Sequence, residues 1–174
     1  MEPLLFTNQP VTLEALPSVE DAPQTPLHPA FLKVQYIGTL TFMAFLIIPG
    51  IVSFFTDLPP VAGMIWFILW STLLVVQMII LPMAFKKKSY SMREKDITYR
   101  TGLIWQSVTT IPYQRIQHSE VSRGPLEQLF GLASLKIYTA GGGSTDLEIS
   151  GLDPEKATQM KDYILSQIVH DGNE

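Results

Sequence analysis

Two long stretches without a charged residue constrain this chain more than any other feature. They are VQYIGTLTFMAFLIIPGIVSFF at 34–55 and VAGMIWFILWSTLLVVQMIILPMAF at 61–85, with only Thr56, Asp57, Leu58, Pro59 and Pro60 between them. As helices, stretches of about 22 and 25 residues extend roughly 33 and 37 Å, enough to cross a hydrocarbon layer of about 30 Å. A helix packed in a water-soluble protein keeps a polar stripe, whereas these two are apolar all round, which points to lipid. The short link leaves no room for a folded insert. The pair is therefore expected to be a transmembrane hairpin, 34–85, that returns to the side it left.

Setting the hairpin aside leaves two unequal pieces, and only 86–174 is long enough to build a core. Residues 1–33 hold six prolines, Pro3, Pro10, Pro17, Pro23, Pro26 and Pro29. Proline at that density removes backbone donors and blocks helices, so an extended or disordered tail is expected. Its apolar residues Leu4, Leu5 and Phe6, with Val11, Leu13 and Leu16, give it some capacity to dock on a partner or a membrane surface. The start of the chain has no basic region and the first apolar run is too long for the core of a signal peptide, so that run is expected to stay in the mature protein.

The net charge of -4 is unevenly placed. Glu2, Glu14, Glu20 and Asp21 face only Lys33 before the hairpin, and charges balance from Lys86 onward, so no large basic face is offered to nucleic acid. The absence of cysteine excludes a disulfide framework, a thiolate metal site and a cysteine nucleophile. Lys86, Lys87 and Lys88 end the second apolar run with Arg93 and Lys95 close by, and Lys33 precedes the first, while the link carries Asp57 and no basic residue. The positive-inside rule then puts both termini in the cytoplasm. Lys86, Lys87, Lys88 and Arg93 are the expected contacts to the membrane surface, each cation contributing about 1 kcal/mol next to anionic headgroups.

Two features inside the apolar runs stand out. Pro49-Gly50 predicts a kink near the far end of the first helix. Gln77 sits mid-run, and an unpaired amide is costly in lipid, so it is expected to face either the first helix or a partner protein. The GxxxG packing motif is absent from both runs.

From 89 the pattern shifts to period two. Strands are expected at 89–92, 97–100 and 103–110, the last with Trp105 on one face and Ile104 and Val108 on the other. A helical turn is expected at 113–117, a brief strand at 118–122, a short segment at 126–130, and strands at 133–139 and 145–150 joined by a glycine-rich hairpin loop. Asp153, Pro154 and Glu155 mark a helix start, and Ala157, Met160, Ile164 and Ile168 recur at helical spacing, predicting a helix over 154–169 that lies on the sheet.

Signals of catalysis are thin. His118, Ser119 and Glu120 are neighbours on a strand and point to opposite faces, so they cannot form a relay among themselves. His28, His118 and His170 lack metal-ligand spacing, and neither a metal nor a cofactor is expected. The run from Gly141 to Thr145 lacks the lysine of a Walker loop and the following helix of a dinucleotide fingerprint, which favours a turn. Arg115, Arg123 and Lys136 are candidate contacts for an acidic ligand or a partner if the sheet brings them together.

RIQHSEVSRGPLEQLFGLASLKIYTAGGG at 115–143, followed by a strand and the Leu152-Asp153-Pro154 helix start, resembles the second class of bacterial pleckstrin-homology (PH) domains, found in YdbS-like membrane proteins. The resemblance runs over 89–169 and rests on four steps in order: arginine-isoleucine-glutamine-histidine, glycine-proline-leucine, phenylalanine-glycine-leucine and the glycine run. It implies a bent antiparallel sheet or barrel capped by a C-terminal helix, preceded by two membrane spans, with no established catalytic activity. It also implies assembly with a larger membrane protein carrying several such modules. The proline-rich tail is not part of the family pattern.

The resulting expectation is a membrane α-helical hairpin carrying a cytoplasmic, mainly-β PH-like domain. It would act without catalysis as an interaction module that assembles with itself or with a partner membrane protein. The alternative is a sensor of anionic lipid or a small ligand at the membrane surface. A transporter or membrane enzyme is disfavoured, because neither run holds the ionisable residues that mark ion paths.

Overall fold

The computed structural model describes residues 23–56, 59–140 and 145–171. Helix α1 spans Ala30–Val52 and continues as a 3-10 turn at Ser53–Phe55; α2 spans Pro60–Lys86. Pro60 opens α2 at a position where a missing N–H costs nothing. Asp57 and Leu58 of the link lie outside the described residues. Phe42, Phe45, Ile68 and Leu69 are 59–66% exposed. The apolar surface they belong to runs the length of both helices, far more than a soluble monomer leaves in contact with water.

The two helices pack on each other through indoles. Trp66 donates its ring N–H to the Leu46 carbonyl at 3.0 Å, and Trp70 donates to the Met43 carbonyl at 2.9 Å. Pro49 lies within α1, and Gly50 beside it is buried under Trp66. The Pro49-Gly50 step is thus where α2 seats its indole ring.

Among the described residues, seven strands follow the hairpin or flank it. One antiparallel sheet has the order β1 (Thr25–Pro26), β2 (Ser89–Met92), β3 (Asp96–Thr101) and β4 (Ser107–Pro112); the other has β5 (Ile116–Ser122), β6 (Ala133–Thr139) and β7 (Leu147–Leu152). A 3-10 turn at Tyr113–Arg115 links the sheets, the short helix α3 (Pro125–Leu129) links β5 to β6, and α4 (Pro154–Asp171) closes the chain. The core between them holds Ile97, Leu135, Ile137, Ile149 and Ile164, all with no exposed surface. Ala157, Met160 and Ile164 form the buried stripe of α4, with Ile168 packed at its margin.

Several expectations change here. The strand expected over 103–110 begins only at Ser107, and Ile104 and Trp105 sit in the preceding loop, 81% and 83% exposed, instead of on the faces of a ladder. The strand expected at 145–150 runs instead over Leu147–Leu152. Of the proline-rich segment, 1–22 lies outside the described residues, but 23–33 is built into the fold. Thr25 and Pro26 pair with Tyr90 and Ser89, Leu27 is 4% exposed, and α1 starts at Ala30. Pro26 is tolerated because β1 is an edge strand.

Candidate interaction site at the junction of hairpin and domain

Both ends of the hairpin join the same edge of the first sheet through very short connections. Lys87 and Lys88 separate α2 from β2, and residues 27–29 separate β1 from α1, with β1 and β2 side by side. Phe31, in the first turn of α1, and Phe85, in the last turn of α2, both pack against the domain core. The hairpin and the domain are consequently one packed body.

A close contact at this junction lies at Gly151. Its φ of +77° is a left-handed conformation, and a Cβ there would stand 2.6 Å from the Phe31 Cβ and 2.8 Å from its Cδ1. Glycine satisfies both demands, and the Phe31 ring lies on the bare backbone. His28 donates its backbone N–H to the Gly151 carbonyl at 3.0 Å, tying the same two segments together. The Lys88 ammonium stands 5.6 Å from the Phe31 centroid, within cation–π range. Burial pushes the Lys88 ammonium below its ordinary lysine range.

The cations singled out from sequence divide into two groups. Lys86 and Lys87 are exposed beside the hairpin, and Lys88 is partly covered. Arg93 follows the last residue of β2, at the end of the sheet remote from the hairpin, with its Nε 3.9 Å from the Asp96 carboxylate. Arg93 thus lies beside Asp96 at the β2–β3 turn, apart from the lysines with which the sequence grouped it. Arg123 and Arg115 are likewise at opposite ends. β5 runs between them, Ser122 pairs with Ser134 near the Gly151 end, and Ile116 pairs with Thr139 at the other. Arg123 is near the hairpin and donates to the Leu132 carbonyl at 3.1 Å; Arg115 is remote, beside Thr139 and Asp146. With Lys136 on β6 between them, the three do not converge on one ligand.

Gln77 is half-buried in α2. The indole bonds match Met43 with Trp70 and Leu46 with Trp66, and continuing that antiparallel register brings Gln35 level with Gln77. The Gln35 Oε1 is buried without a hydrogen-bond partner. The register places the two amides at the same depth of the hairpin.

An open groove of about 630 Å³ runs between the β1–β2 edge and α4. Tyr90, Met92, Met160 and Tyr163 supply apolar wall, and Arg93, Glu94 and Lys156 supply charge. Burial first and the Asp153 carboxylate second push the Tyr90 phenol up, so it stays a neutral donor. Such a lining suits a peptide or a ligand of mixed character. Elsewhere, His118 and Glu120 are exposed while Ser119 is buried between them, so the three do not assemble. Among the described residues no three His, Asp or Glu side chains group as metal ligands. Gly141, Gly142, Gly143 and Ser144 lie outside those residues, as does the His170 side chain.

Comparison with known proteins places these features in context. The family model described as the bacterial PH domain matches residues 35–168, reaching back over the hairpin beyond the 89–169 of the resemblance seen in sequence. The transmembrane protein YdbS of Bacillus subtilis (strain 168) is 28% identical over 155 residues, covering 84% of this chain and 93% of YdbS. The transmembrane protein YdbT of the same organism is 32% identical over 60 residues, 34% of this chain and 12% of YdbT. A Shewanella loihica protein with a pleckstrin-homology domain, known from a crystal structure, aligns over 47% of this chain and 70% of its own at 18% identity and a TM-score of 0.37.

Proposed function

The chain belongs to the bacterial PH domain family, and on that premise we propose that it is a non-enzymatic, membrane-anchored interaction module. In this reading the hairpin crosses the cytoplasmic membrane with both termini inside, and the PH-like domain assembles at the inner face with itself or with a partner membrane protein. The observation that carries it is the junction. Phe31 and Phe85 join the ends of two membrane-length helices to the domain core, so the groove beside α4 is held at a fixed place relative to the bilayer. A fixed groove favours a partner in the same membrane, because both are already confined and oriented there. YdbT, a second transmembrane protein with one stretch similar to this chain, is an example of a related membrane protein that such a partner could resemble.

The test is purification of the full chain from native membranes in mild detergent, with mass determination of the particle. A stoichiometric partner or a defined oligomer is expected; a clean monomer at native expression sinks the proposal. Orientation is checked with an impermeant thiol reagent on single-cysteine variants near each terminus, both of which should react only from the cytoplasmic side.

The alternative, sensing of anionic lipid, is favoured by the exposed Lys86 and Lys87 beside α2. It predicts that domain conformation responds to the anionic fraction of reconstituted vesicles, a response that Lys86→Gln with Lys87→Gln should abolish.

A further inference from the structure

The strand register sorts the loops of the domain by their distance from the hairpin, and their chemistry differs accordingly. Ser89, three residues past the end of α2, pairs with Arg100. β3 then continues toward the hairpin through Thr101, which pairs with Ser107, and the chain between them turns at 102–106. That loop projects from the hairpin end of the sheet and carries Ile104 and Trp105, 81% and 83% exposed. The second sheet behaves alike. Ala133 pairs with Leu152, next to the Gly151–Phe31 contact, so residues 123–132 also emerge at the hairpin end. Within them α3 lies against α1 and presents Leu129, 75% exposed. The opposite end of the first sheet carries Arg93, Glu94, Lys95 and Asp96 at the β2–β3 turn.

We infer that the 102–106 loop and α3 form a second membrane contact, in which Ile104, Trp105 and Leu129 enter the headgroup region of the bilayer that the hairpin crosses. The inference rests on the hairpin spanning that bilayer. A strand residue advances about 3.3 Å, so the two or three residues beyond Thr101 carry the loop tip several ångströms toward the membrane, offsetting the short rise from Lys86 to Ser89. Neighbouring strands are about 4.8 Å apart, which sets the loop roughly 5–10 Å to the side of β2. At that offset it stands beside the hairpin, over lipid. Tryptophan is the side chain best suited to this layer, with an apolar ring and one N–H donor. Among the cations at the same end of the domain, Lys86 and Lys87 are exposed and available to phosphate groups around the inserted residues, with Arg123 close by. The domain would thus meet the bilayer at three places: the hairpin, Trp105 with Ile104, and Leu129.

Because the chain has no cysteine, single labels report single positions. Spin labels are placed at Ile104→Cys, Leu129→Cys, the hairpin site Val75→Cys and the remote Gln114→Cys. Each full-length variant is reconstituted in phosphatidylcholine–phosphatidylglycerol vesicles, and collision with dissolved oxygen is compared with collision with an aqueous nickel chelate. The inference expects the oxygen-to-nickel ratio at 104 and 129 to exceed that at 114 and to fall below that at 75. It also expects Trp105→Ser to shift the ratio at 104 toward the aqueous value. A ratio at 104 equal to that at 114, with 75 still in lipid, overturns the inference while leaving the hairpin intact. Shielding of 104 from both reagents overturns it in favour of a protein contact. An aqueous ratio at 75 would instead remove the spanning hairpin and this inference with it.

Discussion

Replacing Gly151 with alanine should loosen the domain from the hairpin, and the cost can be divided into two parts. A left-handed backbone costs an alanine about 1–2 kcal/mol relative to glycine. The new methyl would also lie 2.6 Å from the Phe31 Cβ, well inside ordinary contact, an overpacking worth about 1–3 kcal/mol. Gly151→Ala is therefore expected to destabilise by roughly 2–5 kcal/mol, a large share of the stability of a small domain. Phe31→Ala alone should cost about 2 kcal/mol, less than a fully buried phenylalanine, since Phe31 is only partly covered. The double variant relieves the clash with the Phe31 ring atoms but keeps the contact with the Cβ, which alanine retains, and the backbone strain, so its cost should fall short of the sum by only part of that overpacking, about 1–2 kcal/mol. The assay is denaturant unfolding of the full chain in detergent micelles, with hydrogen exchange of the His28 amide as the local readout. Additivity within about 0.5 kcal/mol, or unchanged protection of that amide in Gly151→Ala, would refute the reasoning.

The other predictions concern the hairpin and the core. Trp66→Phe and Trp70→Phe should each weaken the hairpin by about 0.6–2 kcal/mol through loss of an indole bond to α1, read as a lower midpoint of detergent-induced unfolding. Gln35→Leu should raise that midpoint, because it removes a buried amide oxygen that has no hydrogen-bond partner; a decrease would mean that the oxygen is satisfied in the membrane. Tyr113 is raised by burial, with smaller contributions from Tyr163 and Asp96, so the folded state keeps a proton that the unfolded chain gives up above about pH 10. Its contribution is full below that pH and falls as pH rises through the window above it. Tyr113→Phe should cost about 1 kcal/mol at neutral pH through the lost bond to the Arg93 carbonyl, and should flatten the decline of stability at alkaline pH.

Sequence revealed the elements whose signal is local. The two apolar runs needed only length and the absence of charge. The 133–139 strand appears with the expected bounds because Ala133, Leu135 and Ile137 alternate with Lys136 and Tyr138, and α4 follows its Ala157, Met160 and Ile164 spacing. The misplaced third strand has a physical cause. Alternation counts Ile104 and Trp105 as apolar without asking what their apolar surface meets, and here they face away from the core. β1 was hidden because two residues carry no period and proline argues against a strand. The placement of the cations was hidden for another reason. Arg93, Arg115 and Arg123 sort by register between strands, and register depends on pairings such as Ser89 with Arg100 that no single segment encodes. The same holds for the contact of Phe31 with Gly151 and for the level shared by Gln35 and Gln77.

The two short connections have a mechanical consequence. A domain hung from one flexible linker would swivel freely above the membrane, and its groove would sample most directions. This domain is pinned at two points on one sheet edge, by Pro26 to Ala30 and by Lys86 to Ser89, with a phenylalanine wedged at each. Two pins resist torsion, so a change in the angle between α1 and α2 cannot be absorbed at the junction and must turn the domain. A binding event among the helices would then be felt as rotation at the groove, and a ligand seated in the groove would in turn bias the tilt of the helices.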